Sequence, residues 1–235
     1  MGQCRSVEKI KSSHKELIKY SSLYQFLFKH VPSVAVEVRN AYQDLLQKTY
    51  LAYFKTFVTI ATKLQYEIAN KNDLLGVEEN KNTNLFTGKK TIKHKTSVFA
   101  MGIRQKIMDE LETYTSNIDM FNSQDKQPFE FLFRNLLYIL MDKVCDEIMF
   151  AQDFFLFADM SELTADIFGK TLTLYAEYLD NFLGNTYDGI QVLLLVVVVQ
   201  KCKQIMGKKL IPVLDNFFSG YVTFNYFFFT ILFNK

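Results

Sequence analysis

Large apolar side chains recur in steps of three and four residues along the segment that follows Pro32. The series is Tyr42, Leu46, Tyr50, Tyr53, Phe57, Ile60, Leu64 and Ile68. Because an α-helix has 3.6 residues per turn, this spacing places all of these side chains on one face of one helix. A second apolar row at Leu45, Phe54 and Val58 widens that face. The pattern therefore predicts a long helix over residues 33–70 that packs against more than one neighbour.

Changes in spacing and composition divide the rest of the chain. Residues 1–32 are predicted to be an N-terminal helix, over about 13–30, and an entry segment, because Pro32 ends one helix and suits the first turn of the next. Residues 71–127 are predicted to be a linker and a weakly helical region, since Gly, Asn and Lys interrupt the apolar spacing there. Residues 128–215 form a predicted helical-rod segment, and residues 216–235 form a divergent phenylalanine-rich tail.

Three helices are predicted within the rod segment. The first opens at Pro128, where proline suits the first helical turn. Its core candidates are Phe129, Leu132, Phe133, Leu136, Leu140, Val144, Ile148 and Phe155. The second spans about Leu163 to Leu183, and the third begins near Asp188 and continues through Lys203. The predicted fold class is therefore all-α, an elongated bundle or rod of long amphipathic helices.

Composition supports a folded helical protein. Of 235 residues, 49% are hydrophobic and 22% are charged, which excludes wholesale disorder, and only 9 glycines and 3 prolines are available for tight turns. The 27 basic and 25 acidic residues leave a net charge of +2. This excess is too small for nucleic acid to be the main partner. Cys4, Cys145 and Cys202 are too few and too far apart for a disulfide framework or a metal site, which fits a reducing compartment.

Two uncharged segments raise the question of a membrane span. The apolar run Val192–Val199 is much shorter than the roughly 20 residues that a bilayer span needs, so it is predicted to be part of a buried core helix. Residues 216–234 carry no charge and approach that length. A C-terminal anchor is therefore an open alternative, although internal Ser, Gly, Thr and Asn residues argue against it.

Two further features suggest contact with lipid. The N-terminus fits the pattern for myristoylation at Gly2 with palmitoylation at Cys4, and two lipids together would anchor a protein stably. The predicted linker also contains a basic cluster, Lys89, Lys90, Lys93, His94 and Lys95. This cluster is interpreted as a solvated loop, with weak attraction to anionic headgroups as the alternative.

The sequence offers no pattern that is typical of catalysis or metal binding. The three histidines are His14, His30 and His94. No two of them have the spacing of metal ligands, and each is predicted to lie at the surface or at a helix end. The close carboxylates Asp142, Asp146 and Glu147 are predicted to form a solvated helix face. No phosphate loop, nucleophile elbow or zinc-binding helix is present, so the chain is predicted to have no catalytic, cofactor-binding or metal residues and no enzyme activity.

Several segments, in this order and spacing, carry a family resemblance. They are KYSSLYQFLFKH at 19–30, EVRNAYQDLLQKTYLAYFKTFVTIATKLQYE at 37–67, NKNDLLGVEE at 70–79, PFEFLFRNLLYILMDKVCDEIMFAQDFF at 128–155, FGKTLTLYAEYLDNFLGNTYDGI at 168–190 and IPVLD at 211–215. Over about residues 13–215 the chain resembles the middle of the vacuolar protein sorting 52 family. Members of this family are subunits of the Golgi-associated retrograde protein (GARP) complex and of the endosome-associated recycling complex.

The resemblance implies a non-enzymatic subunit of a vesicle tethering complex built from helical rods, with no cofactor. It implies endosome-to-Golgi retrograde transport at the cytoplasmic face of the trans-Golgi network and endosomes, with peripheral membrane association. The implied partners are the other tethering-complex subunits, Golgi Rab GTPases and SNARE proteins.

Two departures from the family leave alternatives open. Family members carry a coiled-coil region before the part matched here, whereas no sustained heptad pattern precedes Val34. Family members also continue with charged helical sequence beyond the position of Asp215, where this chain turns to its phenylalanine-rich tail. The alternatives are a truncated fragment without assembly function, a splice form or a gene model that runs into non-coding sequence, and a membrane-anchored helical protein.

Overall fold

The computed structural model describes residues 2–66, 101–111, 113, 115–155 and 159–223. Helices make up nearly all of these residues, which confirms the predicted all-α class. Ile68, the basic cluster at residues 89–95 and the last part of the tail lie outside the described residues, and so do the side chains of Gly2 and Cys4.

The N-terminal part consists of three helices. Helix α1 spans Gly2–Leu17, a 3-10 turn covers Ile18–Tyr20, and α2 spans Ser21–His30. The helix predicted over 13–30 thus starts earlier and is interrupted by the 3-10 turn. Val31 leaves the helical conformation with φ −140° and ψ 66°, and α3 then begins with proline in its first turn.

Helix α3, Pro32–Leu64, is the long helix that the apolar spacing predicts. Its 33 residues reach about 50 Å at 1.5 Å per residue. The buried members of the predicted stripe are Leu46, Tyr50, Tyr53, Phe57 and Leu64, with Tyr42 and Ile60 partly buried. The three residues of the second apolar row on α3 differ in burial. Phe54 is fully buried and Val58 partly buried, whereas Leu45 is 64% exposed.

Short elements stand in the described residues between α3 and the C-terminal helices. Among them are the short helix α4, Gln105–Asp109, and strand β2, Gln127–Pro128. Strand β2 pairs in parallel with β1, Gln65–Tyr66, directly after α3. Strands of two residues leave no detectable alternation in a sequence, and the sequence did not predict them.

The C-terminal part consists of three long helices and a further helical segment. They are α5 over Phe129–Phe155, α6 over Met160–Asn185, α7 over Gly189–Lys208 and α8 over residues 215–223. All eight core candidates on α5 are buried. Helix α5 contacts α1, α2, α3, α6 and α7, which explains why it is apolar on most sides.

Helix α3 packs mainly along α6. Tyr50 contacts Phe168 at a ring-centroid distance of 4.8 Å, and Phe54 meets Tyr175 edge-on at 5.6 Å. Gln43, a polar residue on the α3 wheel, is buried at this interface and donates a 2.9 Å hydrogen bond to the Asp166 carboxylate. Aromatic rings therefore form the contact, and a buried amide supplies a polar link within it.

Helix α7 is, among the described residues, the one helix whose length and apolar composition would allow it to cross a bilayer. Val192, Leu195 and Val199 are nevertheless fully buried against the other helices. Six of the eight residues of the apolar run are buried, whereas Val197 is partly buried and Leu193 is 39% exposed, so most of the run lies in the core as predicted. The adjoining α8 also reaches the core, because Phe218 is fully buried and Tyr221 nearly so. The first residues of the predicted tail are therefore part of the packed helical body.

Asp159 caps the N-terminus of α6, and the contribution of this cap to stability can be tested. Its side chain accepts hydrogen bonds from the backbone N–H groups of Ser161, at 2.8 Å, and Glu162, at 3.1 Å. We expect Asp159→Ala to lower the free energy of unfolding by about 1 kcal/mol, because these two N–H groups lose their acceptor. Urea denaturation followed by circular dichroism measures the change. Asp153→Ala, at an exposed site within α5, is the control and should change stability by less than about 0.5 kcal/mol.

Candidate interaction surface

A buried carboxylate joins three helices at the N-terminal end of the molecule. Glu147 on α5 is 1% exposed and accepts hydrogen bonds from the hydroxyls of Tyr42, at 2.6 Å, and Tyr50, at 2.5 Å, both on α3. His14 on α1 places Nε2 3.6 Å from the carboxylate and 2.9 Å from the Tyr42 hydroxyl. The tautomer of the imidazole decides whether Nε2 of His14 donates to the Tyr42 hydroxyl or accepts from it. We call these four residues the Glu147 cluster.

Burial shifts both titratable groups of the Glu147 cluster toward their neutral forms. It raises the pKa of Glu147 from 4.5 to about 7, although the hydrogen bonds from Tyr42 and Tyr50 favour the anion. It lowers the pKa of His14 from 6.5 to about 4, although the charge of Asp146 acts in the opposite direction. His14 also stacks on Phe150 at a centroid distance of 3.9 Å. The cluster thus holds α1 on α3 and α5 with little net charge.

The prediction that Glu147 lies on a solvated helix face is wrong, whereas His14 stands in the last turn of α1, at a helix end as predicted, with a side chain that is only 12% exposed. Both side chains belong to the inner face of their helices, where the hydroxyls of α3 supply the missing polar partners. Two tyrosines on the buried stripe, Tyr42 and Tyr50, were the available indication, because a buried phenol usually has a hydrogen-bond partner. The sequence gives no means of identifying Glu147 as that partner, about a hundred residues away.

A second buried polar cluster attaches the residue directly before α4, Arg104, to α5 and α7. Arg104 is 1% exposed, and its guanidinium donates two hydrogen bonds to Asp188, at 3.0 and 2.6 Å. Its Nε lies 4.0 Å from Glu130 on α5, and the Glu130 carboxylate also accepts a hydrogen bond from Gln191 on α7. Burial raises the pKa of Glu130, although the hydrogen bond from Gln191 opposes this shift. We call these four residues the Arg104 cluster.

Asp188 has two roles in the Arg104 cluster. It pairs with Arg104, and it caps α7 by accepting a 3.1 Å hydrogen bond from the backbone N–H of Gln191. In both clusters the polar atoms face one another between packed helices, so the clusters join helices and do not present groups to a substrate. Among the described residues, no three His, Cys, Asp or Glu side chains are grouped so that they could hold a metal ion.

Exposed apolar side chains are concentrated on α2, the turn before it and the first half of α3. Tyr20, Leu23, Phe26 and Phe28 are each 55–59% exposed. Leu23 and Phe26 are three residues apart and share one side of α2, and we call these two residues the α2 patch. Val34, Val38, Ala41 and Leu45 are also exposed, and we call them the α3 seam. The members of the α3 seam follow one another in steps of four, three and four residues, which is the spacing of a helix–helix contact. Both surfaces are therefore candidates for contact with another molecule.

Known proteins resemble the chain over most of its length. The family model described as Vps52, C-terminal, matches residues 44–234. The human Vacuolar protein sorting-associated protein 52 homolog is 32% identical over 207 residues, which cover 86% of this chain and 28% of the human protein. Vacuolar protein sorting-associated protein 52 A of Arabidopsis thaliana is 32% identical over 203 residues, with the same two coverages.

A more distant relative, the Caenorhabditis elegans homolog, is 24% identical over 219 residues, which cover 89% of this chain and 31% of the relative. The chain thus spans less than a third of the length of these relatives. No solved structure matches it. The family model runs through α8, beyond residue 215 where the resemblance seen in the sequence fades. The family model and the relatives together confirm that the chain belongs to the Vps52 family.

Proposed function

We propose that this chain is a non-enzymatic subunit of a vesicle tethering complex in endosome-to-trans-Golgi retrograde transport. It acts through protein–protein contacts at the cytoplasmic face of the trans-Golgi network and endosomes. Contacts with the other tethering-complex subunits, and with Golgi Rab GTPases and SNARE proteins, belong to the same proposal. Membership of the Vps52 family carries it, since the relatives are named for vacuolar protein sorting.

The α3 seam supports a role based on contacts between helices. Its side chains form one outward line on a helix whose opposite face is buried on α6. Val and Leu side chains at a heptad-like spacing suit insertion between the residues of a facing helix. A partner helix would remove this apolar line from water, which is the main source of stability in such contacts.

Affinity purification from cells tests the proposal. We expect the tagged chain to recover other tethering-complex subunits, and the double variant Val38→Glu and Leu45→Glu to recover at least about tenfold less, because two charges would enter an apolar contact. Asn40→Glu is the matched control, since Asn40 is exposed on the same helix outside the α3 seam. Both variants should unfold at the temperature of the unaltered chain.

Recovery of no tethering-complex subunit by the unaltered chain would contradict the proposed function. Membrane association that persists without any partner subunit would favour the alternative of a membrane-anchored helical protein. That alternative depends on the end of the tail and on the lipidation pattern at Gly2 and Cys4. The end of the tail and the side chains of these two residues lie outside the described part of the structure.

A further inference from the structure

The segment from α1 to α2 has a consistent inner and outer side. Its inner side chains recur at steps of three, four, four, six and three residues and pack on the helical body; they are Val7, Ile10, His14, Ile18, Tyr24 and Leu27. Tyr24 contacts the rings of Phe154 and Phe155 at the end of α5, at centroid distances of 5.3 and 4.9 Å. Because the inner side already fills the contact with α3 and α5, the α2 patch is left outside the packing.

The outer side of this segment combines lysines with apolar side chains. Its exposed residues Lys15, Lys19, Leu23, Phe26 and His30 follow one another at steps of four, four, three and four. Within α2 this spacing places Leu23, Phe26 and His30 along one side. The two lysines precede them, in the last turn of α1 and in the 3-10 turn. His30 contacts the Phe26 ring at a centroid distance of 4.4 Å and closes the line with a third nitrogen-bearing side chain.

The charge of this region is strongly one-sided. From Lys9 to Val31 the chain has five lysines and a single acidic residue, Glu16. Glu16 pairs with Lys19 at 2.7 Å, and Lys11 lies 3.8 Å from Asp146 on α5. Lys9, Lys15 and Lys29 are exposed and form no salt bridge with another described residue. The segment that carries the α2 patch therefore has a local excess of positive charge, although the chain as a whole is nearly neutral.

We propose that the α2 patch, with the lysines beside it, docks on the headgroup region of an anionic bilayer. Phenylalanine and leucine side chains at a helix surface insert at the boundary between headgroups and acyl chains. Lysines next to them keep their ammonium groups in the headgroup layer, where anionic lipids supply the opposite charge. A protein partner would need its own cluster of acidic groups at the edge of an apolar contact, whereas an anionic leaflet offers negative charge along the whole line.

This inference goes beyond the proposed function, because contact with lipid requires no tethering-complex subunit. The two can therefore fail independently: loss of subunit recovery leaves lipid binding untouched, and the reverse also holds. The lipid contact also differs from the anchors that the sequence suggested, since it uses neither a lipidated N-terminus nor the end of the tail.

Vesicle flotation with the full chain produced in bacteria tests the inference. The probe is vesicles of phosphatidylcholine alone, or of equal amounts of phosphatidylcholine and phosphatidylserine. We expect flotation with the phosphatidylserine vesicles only, weakening as salt is added because the lysine contribution is screened. Leu23→Ser with Phe26→Ser should lower the bound fraction at least about tenfold, because two inserted side chains are lost. Lys15→Glu with Lys19→Glu should abolish the preference for phosphatidylserine.

Leu210→Ser is the matched control, because Leu210 is the most exposed large apolar residue described and lies far along the chain from α2. It should leave flotation unchanged, and all variants should keep the melting temperature of the unaltered chain. Equal flotation of the α2 double variant and the unaltered chain would overturn the inference, as would no flotation with phosphatidylserine vesicles at low salt. Light scattering that shows a dimer dissolved by the Leu23 and Phe26 changes would overturn it as well, since a second copy would then cover the patch.

Discussion

Arg104→Met is expected to lower the free energy of unfolding by about 3–5 kcal/mol. In the Arg104 cluster, the Arg104 guanidinium is the positive charge next to two buried carboxyl groups, those of Asp188 and Glu130. Methionine fills much of the same volume but leaves both carboxyl groups without their charge partner in a region closed to water. A small domain is stable by only about 5–15 kcal/mol, so this loss would unfold a substantial fraction of the molecules at moderate urea concentrations. Urea denaturation followed by circular dichroism measures it.

Two further variants separate the loss of the ion pair from other causes. Lys106→Met removes an exposed cation two residues away, whose partner is Glu110 at 3.5 Å, and should change stability by less than about 0.5 kcal/mol. Adding Asp188→Asn and Glu130→Gln to Arg104→Met should restore part of the lost stability, because the amides carry no charge and asparagine can still cap α7. An Arg104→Met protein within 1 kcal/mol of the unaltered chain would show that the buried pair contributes little.

The helices could be predicted from the sequence because the face of each helix that packs on its neighbours carries regularly spaced apolar residues. The α3 stripe from Tyr42 to Leu64 and the apolar run of α5 repeat over many turns, so single exceptions do not obscure them. The division of the second α3 row could not be predicted. Leu45 and Phe54 are equally apolar, and only the position of α6 decides that Phe54 is covered while Leu45 remains in water.

The two polar clusters could not be predicted, because a buried charge has the same local pattern as an exposed one. Arg104 stands in a mostly polar segment, and its burial depends on Asp188, 84 residues later. Glu147 is one residue from Asp146, yet a turn of about 100° per residue carries it from the solvated face of α5 to the tyrosines of α3. Such partners meet only after the helices have packed, so the tertiary arrangement decides which charged residues become buried and paired.

The second large effect concerns the pH dependence of stability. The folded-state pKa of Glu147 is raised to about 7, so its contribution to stability is fully present below about pH 4.5 and is lost as pH rises toward 7. The folded-state pKa of His14 is lowered to about 4, so its contribution is present above about pH 6.5 and is lost as pH falls toward 4. Between these limits each state of the chain holds one proton, on His14 when unfolded and on Glu147 when folded. The pH dependence of stability caused by Glu147 and the opposite dependence caused by His14 therefore largely cancel.

Removing either residue should reveal the pH dependence of stability that the other residue causes. Glu147→Gln keeps a hydrogen-bonding side chain but lacks the stability that Glu147 gains on protonation, so its stability relative to the unaltered chain should fall by about 3 kcal/mol as pH decreases from 7 to 4.5. His14→Gln lacks the stability that His14 loses on protonation, so its relative stability should rise over the same interval. Allowing for the part of His14 that meets solvent, we expect an increase of about 2 kcal/mol. Urea denaturation at a series of pH values measures both.

The opposite signs of these two slopes are the decisive result, because a general effect of pH on the chain would move both variants in the same direction. Lys11→Gln is the control: Lys11 lies on α1 and pairs with Asp146 at 3.8 Å, outside the buried cluster, and its profile should run parallel to that of the unaltered chain. Parallel profiles for Glu147→Gln and His14→Gln would contradict the shared proton. If the slopes do oppose each other, one buried proton lets α1 stay attached to α3 and α5 at nearly constant strength from about pH 4.5 to 6.5.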